Sequence, residues 1–146
     1  MAGIERIVVG VDGSESSKNA LQWAYEEAAH HDSSLTVVTV WHVPPLPMSP
    51  GYGSPTPEGY GSRPQQEALK LLDRLTSELV PRDPAVKVQT SVEEGRSPVK
   101  VLLERSKDAD LLVVGSRGIG GFAGMLLGSV SQHLVAHADC PVVVIR

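Results

Sequence analysis

The chain has 146 residues, 41% of them hydrophobic and 21% charged, and its formal net charge is −4. This length suits one domain with one hydrophobic core, and the acidic balance argues against a nucleic-acid-binding face and against a polybasic membrane surface. The single cysteine, Cys140, excludes an internal disulfide, and the sequence shows neither a membrane-spanning apolar run nor a signal peptide, so we expect a cytoplasmic protein.

The predicted elements begin with a strand over residues 5–11, where Ile and Val fill consecutive positions as in a parallel strand that is buried on both faces. The turn Asp12-Gly13-Ser14 follows, and residues 16–31 then place small and apolar side chains on one face of a helix. Ser14 and Ser16 are both suitable N-caps for this helix. The chain therefore opens with a strand, a polar turn and an amphipathic helix.

A second β-branched strand is predicted over residues 35–43, and a second amphipathic helix over residues 65–80. Between them, residues 44–64 hold seven of the eleven prolines in the chain. Proline lacks the backbone N–H that helices and sheets use, so this segment predicts a long, exposed and mobile loop. It is either a plain surface excursion or a lid over a ligand, and the sequence leaves both open.

The remaining predicted elements are a strand at 86–95, a helix at 97–108, a strand at 110–115, a helix at 129–138 and a strand at 141–146. The first of these strands alternates only in part, as an edge strand does, and Ser97-Pro98 gives the next helix an N-cap and a proline in its first turn. Strict alternation of strands and helices predicts a single-domain α/β fold with a parallel sheet covered by helices on both faces. Ligands of such sheets bind beyond the carboxyl ends of the strands.

The glycine-rich segment GSRGIGGFAGMLLGS, residues 115–129, follows the fourth strand directly. Residues 118–123 spell the G-x-G-x-x-G/A pattern of dinucleotide-binding turns, but no acidic residue lies about 20 positions further on, where that pattern needs one for the ribose. The sequence also lacks the Gly-Lys-Ser/Thr triplet of a Walker A loop. Both of these nucleotide-binding motifs are therefore excluded.

A different phosphate-binding arrangement fits the same segment. Gly115 and Gly118 permit close backbone approach and a positive φ directly after the strand. Gly128 and Ser129 open the last helix, whose N-terminal N–H groups and partial positive charge suit a phosphate, with the one arginine of the segment as the cation. The hydroxyls of Ser129 and Ser131 are further donors there. We expect Ser129 to cap the helix in either case, and the plain alternative is a flexible connection in which it does nothing more.

The spacing Gly115-x-x-Gly118, nine further residues and then Gly128-Ser129 resembles the G-2x-G-9x-G-S/T signature of the universal stress protein family. The opening IVVGVDGSESSKNAL and the closing HADCPVVVIR also resemble segments of that family. The likeness covers residues 1–146 as one domain, apart from the variable loop at 44–64. It implies a Rossmann-like, adenine nucleotide alpha hydrolase-like sheet with the strand order 3-2-1-4-5.

Family members with the complete glycine signature bind ATP, so the resemblance implies ATP here, accompanied by Mg²⁺ or Mn²⁺. Asp12 is then expected to contact the ribose, with Gly10 and Val11 lining the nucleoside pocket. Val40 is expected to meet the adenine through its backbone. The residues implied around the sugar and the phosphates are Gly115, Arg117, Gly118, Gly128, Ser129, Val130 and Ser131. From the residues alone, Asp12 is equally a turn-forming aspartate and Val40 a core valine.

The resemblance favours an ATP-binding regulatory module of the stress response, with hydrolysis at most slow because the loop offers phosphate donors and no evident general base. Three alternatives stay open: an enzyme of the ATP-pyrophosphatase kind, whose S-G-G-x-D-S loop the first turn does not match, a cyclic-AMP-binding relative, and a structural dimer with a vestigial loop. The resemblance also implies a homodimer that forms through the last strand.

The histidines complete the candidate residues. His133 and His137 are four residues apart, but H-L-V-A-H lacks the glutamate of H-E-x-x-H and no third ligand is evident, so no zinc site is predicted. His42 lies near the end of the second predicted strand, where the sequence cannot place its side chain relative to the pocket.

Overall fold

A computed structural model of the chain describes residues 3–45, 61–82, 86–118 and 127–146. Within these ranges strands and helices alternate strictly. In chain order they are β1 (Arg6–Gly10), α1 (Glu15–His31), β2 (Ser34–Trp41), α2 (Arg63–Leu79), β3 (Val88–Glu94), α3 (Pro98–Ser106), β4 (Leu111–Gly115), α4 (Ser129–His137) and β5 (Val142–Ile145).

The five strands form one parallel sheet in the order β3-β2-β1-β4-β5. β1 is central, since Val9 pairs with Val37 of β2 on one side and with Val113 of β4 on the other. The predicted single-domain α/β fold and strand order are therefore confirmed, and β3 is an edge strand as expected. The direction in which the sheet is built reverses between β1 and β4, the position where α/β sheets bind their ligands.

Helix α1 begins at a cap that the sequence left undecided. Ser14 has extended backbone angles and its hydroxyl accepts a hydrogen bond from the Ser17 N–H, so Ser14 and not Ser16 is the N-cap. The helix ends at Asp32, which is left-handed with φ of 56°, and the Ser33 N–H reaches back to the Ala28 carbonyl over 2.8 Å. Both ends of α1 are thus fixed by local contacts.

Two pairs of helices cover the two faces of the sheet. We call the face under α1 and α2 the closed face, where Val9 and Val37 pack with Leu21 and Leu75. The face under α3 and α4 is called the open face, where a smaller cluster includes Val38, Leu102 and Leu134. The predicted apolar faces of α1 and α2 thus pack on the sheet, with Leu21 and Leu72 among their buried residues.

The element boundaries differ from the predictions by a few residues. α2 begins at Arg63, so the predicted loop at 44–64 gives its last two residues to the helix, whose first turn contains Pro64. β2 ends at Trp41 instead of residue 43, because the Pro44-Pro45 pair that follows has no N–H for a sheet. Residues 46–60, and with them the question of a lid, lie outside the described residues. No helix of the described ranges is long and apolar enough to cross a bilayer.

Candidate functional site

A cavity of about 510 Å³ lies on the open face, at the carboxyl ends of β1, β2 and β4. Its size is that of a small-molecule pocket. The lining residues are Gly10, Val11, Asp12, Ser14, Ser17, Val38, Val40, Pro98, Leu102, Val114, Gly115, Arg117, Gly118, Gly128, Ser129, Val130 and Ser131. The cavity is therefore assembled from segments far apart in the chain, as the crossover between β1 and β4 requires.

All eleven residues singled out in the sequence line this one cavity. Six further lining residues were not singled out: Ser14, Ser17, Val38, Pro98, Leu102 and Val114. Their sequence signals indicate other roles, since the serines and Pro98 belong to helix starts and the other apolar residues to core positions. His42 is exposed and is not among the lining residues.

One part of the cavity is apolar. Val38 and Val40 point to it from alternate positions of β2, and Leu102 faces them from α3. Gly10 belongs to the same wall, where a Cβ atom would lie 3.0 Å from Leu102 Cδ1. This wall suits a flat ring with little exposed polarity.

The opposite part of the cavity is the N-terminus of α4. Gly128 is the N-cap residue and makes no side-chain cap, so the expectation that Ser129 caps the helix is wrong. The Gly128 N–H donates to the Ser116 carbonyl over 2.6 Å, which fixes the start of the helix against the end of β4. The N–H groups of the first turn have no acceptor within the helix and carry its partial positive charge. The residues of this turn, Gly128 to Ser131, line the cavity.

The two serines of this turn differ. The Ser131 hydroxyl lies 3.0 Å from both the Ser116 and the Gly128 carbonyl oxygens, and the residue is buried. A carbonyl only accepts, so the Ser131 hydroxyl donates its proton within the protein. Ser129 is exposed at the first helical position and lines the cavity.

Asp12 lies between the turn that follows β1 and the loop that follows β4. Its Oδ1 accepts from the Ser14 N–H over 2.9 Å, and its own N–H donates to Ser17 Oγ over 3.3 Å. A Cβ atom on Gly118 would lie 2.8 Å from Asp12 Oδ2. Asp12 is therefore a turn-forming aspartate, as the alternative interpretation expects, and it also lines the cavity.

The close approach of β4 to α1 explains the glycine at position 115. A Cβ atom there would lie 2.7 Å from Ser16 C and from Ser17 N, so the end of β4 touches the backbone of α1. Ser16 Oγ also donates to the Arg117 carbonyl over 2.6 Å and accepts from the Arg117 N–H at 3.3 Å. The expected positive φ is wrong for Gly115 and Gly118, because Gly13 alone among the described glycines has one, at 87°.

Two formal charges belong to the described lining, one from Asp12 and one from Arg117. Within the described ranges, no group of three or more His, Cys, Asp or Glu side chains is placed to hold a metal ion. The site therefore offers an apolar wall, one carboxylate, one guanidinium and a helix N-terminus, which is chemistry for binding an anionic ligand with a flat ring.

The model of the universal stress protein family matches residues 3–146 of this chain. A universal stress protein of Mycolicibacterium smegmatis is 38% identical over 144 residues, which cover 96% of this chain and 45% of that protein. The chain spans less than half the length of this relative and of a universal stress protein of Mycobacterium tuberculosis that is 36% identical over 140 residues.

Solved structures agree with this match. A universal stress protein from Lactobacillus plantarum has the same fold, with a TM-score of 0.79 at 24% identity and full coverage of both chains. A universal stress protein in complex with cyclic AMP has a TM-score of 0.62 at 28% identity and covers 99% of this chain and 98% of its own. On the family match and the shared identity, this chain belongs to the universal stress protein family.

Proposed function

We propose that the chain binds ATP in the open-face cavity and acts as a nucleotide-dependent regulatory module of the stress response. One observation carries the proposal: the residues implied around a nucleotide, drawn from three strands, a loop and a helix, line a single cavity. The structure of a family member in complex with cyclic AMP supports an adenine nucleotide as the class of ligand.

Each part of the cavity suits one part of the nucleotide. The adenine lies against Val38, Val40 and Leu102, where an apolar wall meets its flat ring. The ribose lies at Asp12, whose carboxylate is held in place by the Ser14 N–H. The phosphates lie at the start of α4, where backbone N–H groups and the helix dipole attract negative charge. Arg117 adds the cation at that end.

Mg²⁺ or Mn²⁺ would enter with the triphosphate. The described residues provide no metal cluster of their own, so phosphate oxygens and water supply most of the ligands. Asp12 is the acidic side chain of the described lining, and an oxygen ligand of this kind is compatible with a hard cation. When bound, the ion neutralises part of the phosphate charge.

We expect hydrolysis to be slow at most. Asp12 is the one lining carboxylate among the described residues, and its Oδ1 already accepts a hydrogen bond from the Ser14 N–H. No described histidine lines the cavity. The ATP-pyrophosphatase alternative gains nothing from the first turn, which reads Asp12-Gly13-Ser14 and lacks paired glycines. Binding, and not turnover, is the proposed activity.

A homodimer through β5 is part of the proposal. This edge strand pairs with β4 on one side only, and its four residues, Val142–Ile145, are all half-buried in the single chain. An apolar strand edge of this kind pairs readily with a second copy. The proposed location is the cytoplasm.

The experiment compares Gly118→Ala with Gly3→Ala by isothermal titration with Mg·ATP, cyclic AMP and dAMP. A Cβ on Gly118 would crowd Asp12 Oδ2 at 2.8 Å, whereas no atom lies within 4 Å of the corresponding position on Gly3. We expect Gly118→Ala to weaken ATP binding about tenfold or more, which is about 1.4 kcal/mol, and Gly3→Ala to leave it unchanged.

Three outcomes contradict the proposal in different ways. Equal ATP affinity of both variants would show that the glycine loop is not the phosphate site. Tight binding of cyclic AMP with no binding of ATP would replace the ligand and keep the cavity. Absence of binding by any of the three nucleotides to the wild-type protein would favour a structural role.

A further inference from the structure

The outer side of α4 carries two histidines that the nucleotide site does not use. His133 and His137 are both exposed, and their ring centroids are 6.4 Å apart with 36° between the ring planes. His133 Nδ1 lies 2.8 Å from the Ser129 carbonyl oxygen. Because a carbonyl can only accept, the Nδ1 atom donates, and in the neutral ring the lone pair is then on Nε2.

We propose that His133 and His137 form a two-imidazole binding site for a divalent transition-metal ion such as Ni²⁺, Cu²⁺ or Zn²⁺. Histidines four residues apart lie on the same side of a helix, which is the spacing that helical metal sites use. The bond from His133 Nδ1 to a backbone carbonyl is the arrangement that orients metal-binding histidines. His137 is in the last turn, where the partial negative charge of the helix favours a cation.

The geometry needs one small adjustment. A metal ion about 2.1 Å from both Nε2 atoms brings the ring centroids to about 5 Å apart, so one ring must move by about 1–2 Å. His133 is held by Ser129, and His137 is an exposed side chain at the end of its helix, so the moving ring is that of His137. The remaining coordination positions belong to water.

Two protein ligands set the strength of the site. No third His, Cys, Asp or Glu of the described residues completes the group, which separates it from a closed structural zinc site. Holding two imidazoles on one helix still makes the second bond intramolecular, which raises the affinity over that of a single histidine. Imidazole ligands select Ni²⁺, Cu²⁺ and Zn²⁺ over Mg²⁺, so this site does not compete for the ion that accompanies ATP.

The chain contains a matched control. His30 and His31 are consecutive on α1, with centroids 5.3 Å apart and ring planes at 89°. Consecutive helical side chains do not share a side of the helix. His31 Nε2 is also engaged, at 3.2 Å from the Glu27 carboxylate. This pair is therefore closer in space and worse placed to bind one ion.

The experiment titrates the untagged, nucleotide-free protein with Ni²⁺ by calorimetry. The variants are His133→Ala, His137→Ala and the double variant His30→Ala/His31→Ala. We expect one ion per chain in the wild type, a loss of affinity of about tenfold or more in either α4 variant, and little change in the α1 double variant. Both α4 positions are exposed and alanine is a better helix former, so circular dichroism is expected to show intact folding.

A second readout is independent of affinity. Paramagnetic Ni²⁺ at substoichiometric amounts is expected to broaden the imidazole proton signals of His133 and His137 before those of the other histidines. The proposal is overturned if the α1 double variant loses Ni²⁺ while His133→Ala keeps it, or if the first signals to broaden belong to His30 and His31. Unchanged Ni²⁺ binding in all three variants would overturn it as well.

Discussion

The two faces of the sheet differ in how much helix covers them. On the closed face, α1 and α2 are 17 residues each, about 25 Å long, while α3 and α4 on the open face are nine residues each, about 13 Å long. The largest fully buried side chains follow this difference, with Leu21, Leu35, Leu72 and Leu75 on the closed face. The cavity lies on the other face, where the helices are short.

The comparison teaches where stability and binding are located in this fold. Long helices fill the closed face with apolar contacts, whereas short helices leave their N-termini at the carboxyl ends of the strands with space between them. The N-terminal residues Pro98 of α3 and Ser129 of α4 both line that space. We therefore expect changes on the closed face to affect unfolding first and changes on the open face to affect ligand binding first.

The largest expected effect comes from truncating one leucine on each face. Leu75→Ala removes a fully buried side chain from the closed face and is expected to lower the free energy of unfolding by about 2–5 kcal/mol without changing nucleotide affinity. Leu102→Ala, next to the existing cavity, is expected near the lower end of that range and to weaken nucleotide binding. Urea denaturation and calorimetry measure both. An equal loss of nucleotide affinity in the two variants would show that the faces are not separable.

An intermediate effect on both stability and nucleotide binding is expected at Gly115, where the end of β4 touches the first turn of α1. Gly115→Ala places a Cβ atom 2.7 Å from the backbone of Ser16 and Ser17, so the first turn of α1 must shift. We expect a loss of about 1–3 kcal/mol of unfolding free energy together with weaker nucleotide binding, because the same turn lines the cavity. Urea denaturation and nucleotide titration of this variant and of Gly3→Ala, the matched control, test it. A variant that loses neither property would show that strand β4 can yield at this position.

The smallest expected effect is on the reactivity of the Cys140 thiol. Cys140 is a partly buried residue that packs against the open-face cluster. Burial raises the pKa of its thiol, and the charges of Asp110 and Asp139 raise it further against a lowering by the Leu112 backbone. The neutral thiol is favoured in the folded state, so its contribution to stability is fully present below the pKa that the thiol has in the unfolded chain. This contribution is lost as the pH rises from that value through the higher pKa of the folded state. Alkylation by iodoacetamide at pH 8 is expected to be slower in the folded protein than in urea. Equal rates would contradict the raised pKa.

The fold could be predicted from local patterns because each element carries its own signal. Runs of Val, Ile and Leu mark four of the strands, partial alternation marks β3, and Ser97-Pro98 marks the start of α3, whose cap the structure confirms. Strand ends were predicted less accurately, since the end of β2 at Trp41 depends on the pair Pro44-Pro45, which begins three residues beyond it. The family resemblance supplied the strand order, which alternation alone does not determine.

The residues that line the cavity could be predicted only in part from local sequence patterns. Val40 had no support in the sequence beyond the resemblance, because a strand valine is buried whether or not a ligand lies against it. Close backbone approach at Gly115 could be predicted, but its partners, Ser16 and Ser17 of α1, could not, because they are about 100 residues away in the sequence. Ser17 was missed because a buried serine in a helix turn gives the same signal as a cap.

The first turn of α1 carries two selective constraints at once. Ser14 caps the helix and orients Asp12, Ser16 ties the loop after β4, and Ser17 accepts from the Asp12 N–H. A substitution there that preserves the helix still alters the ligand site, and one that preserves the ligand contacts still has to start the helix. If the proposed nucleotide site is correct, we therefore expect substitutions at the valines of the open-face wall to change ligand preference with less effect on folding than substitutions in this turn, although the turn is the more exposed of the two.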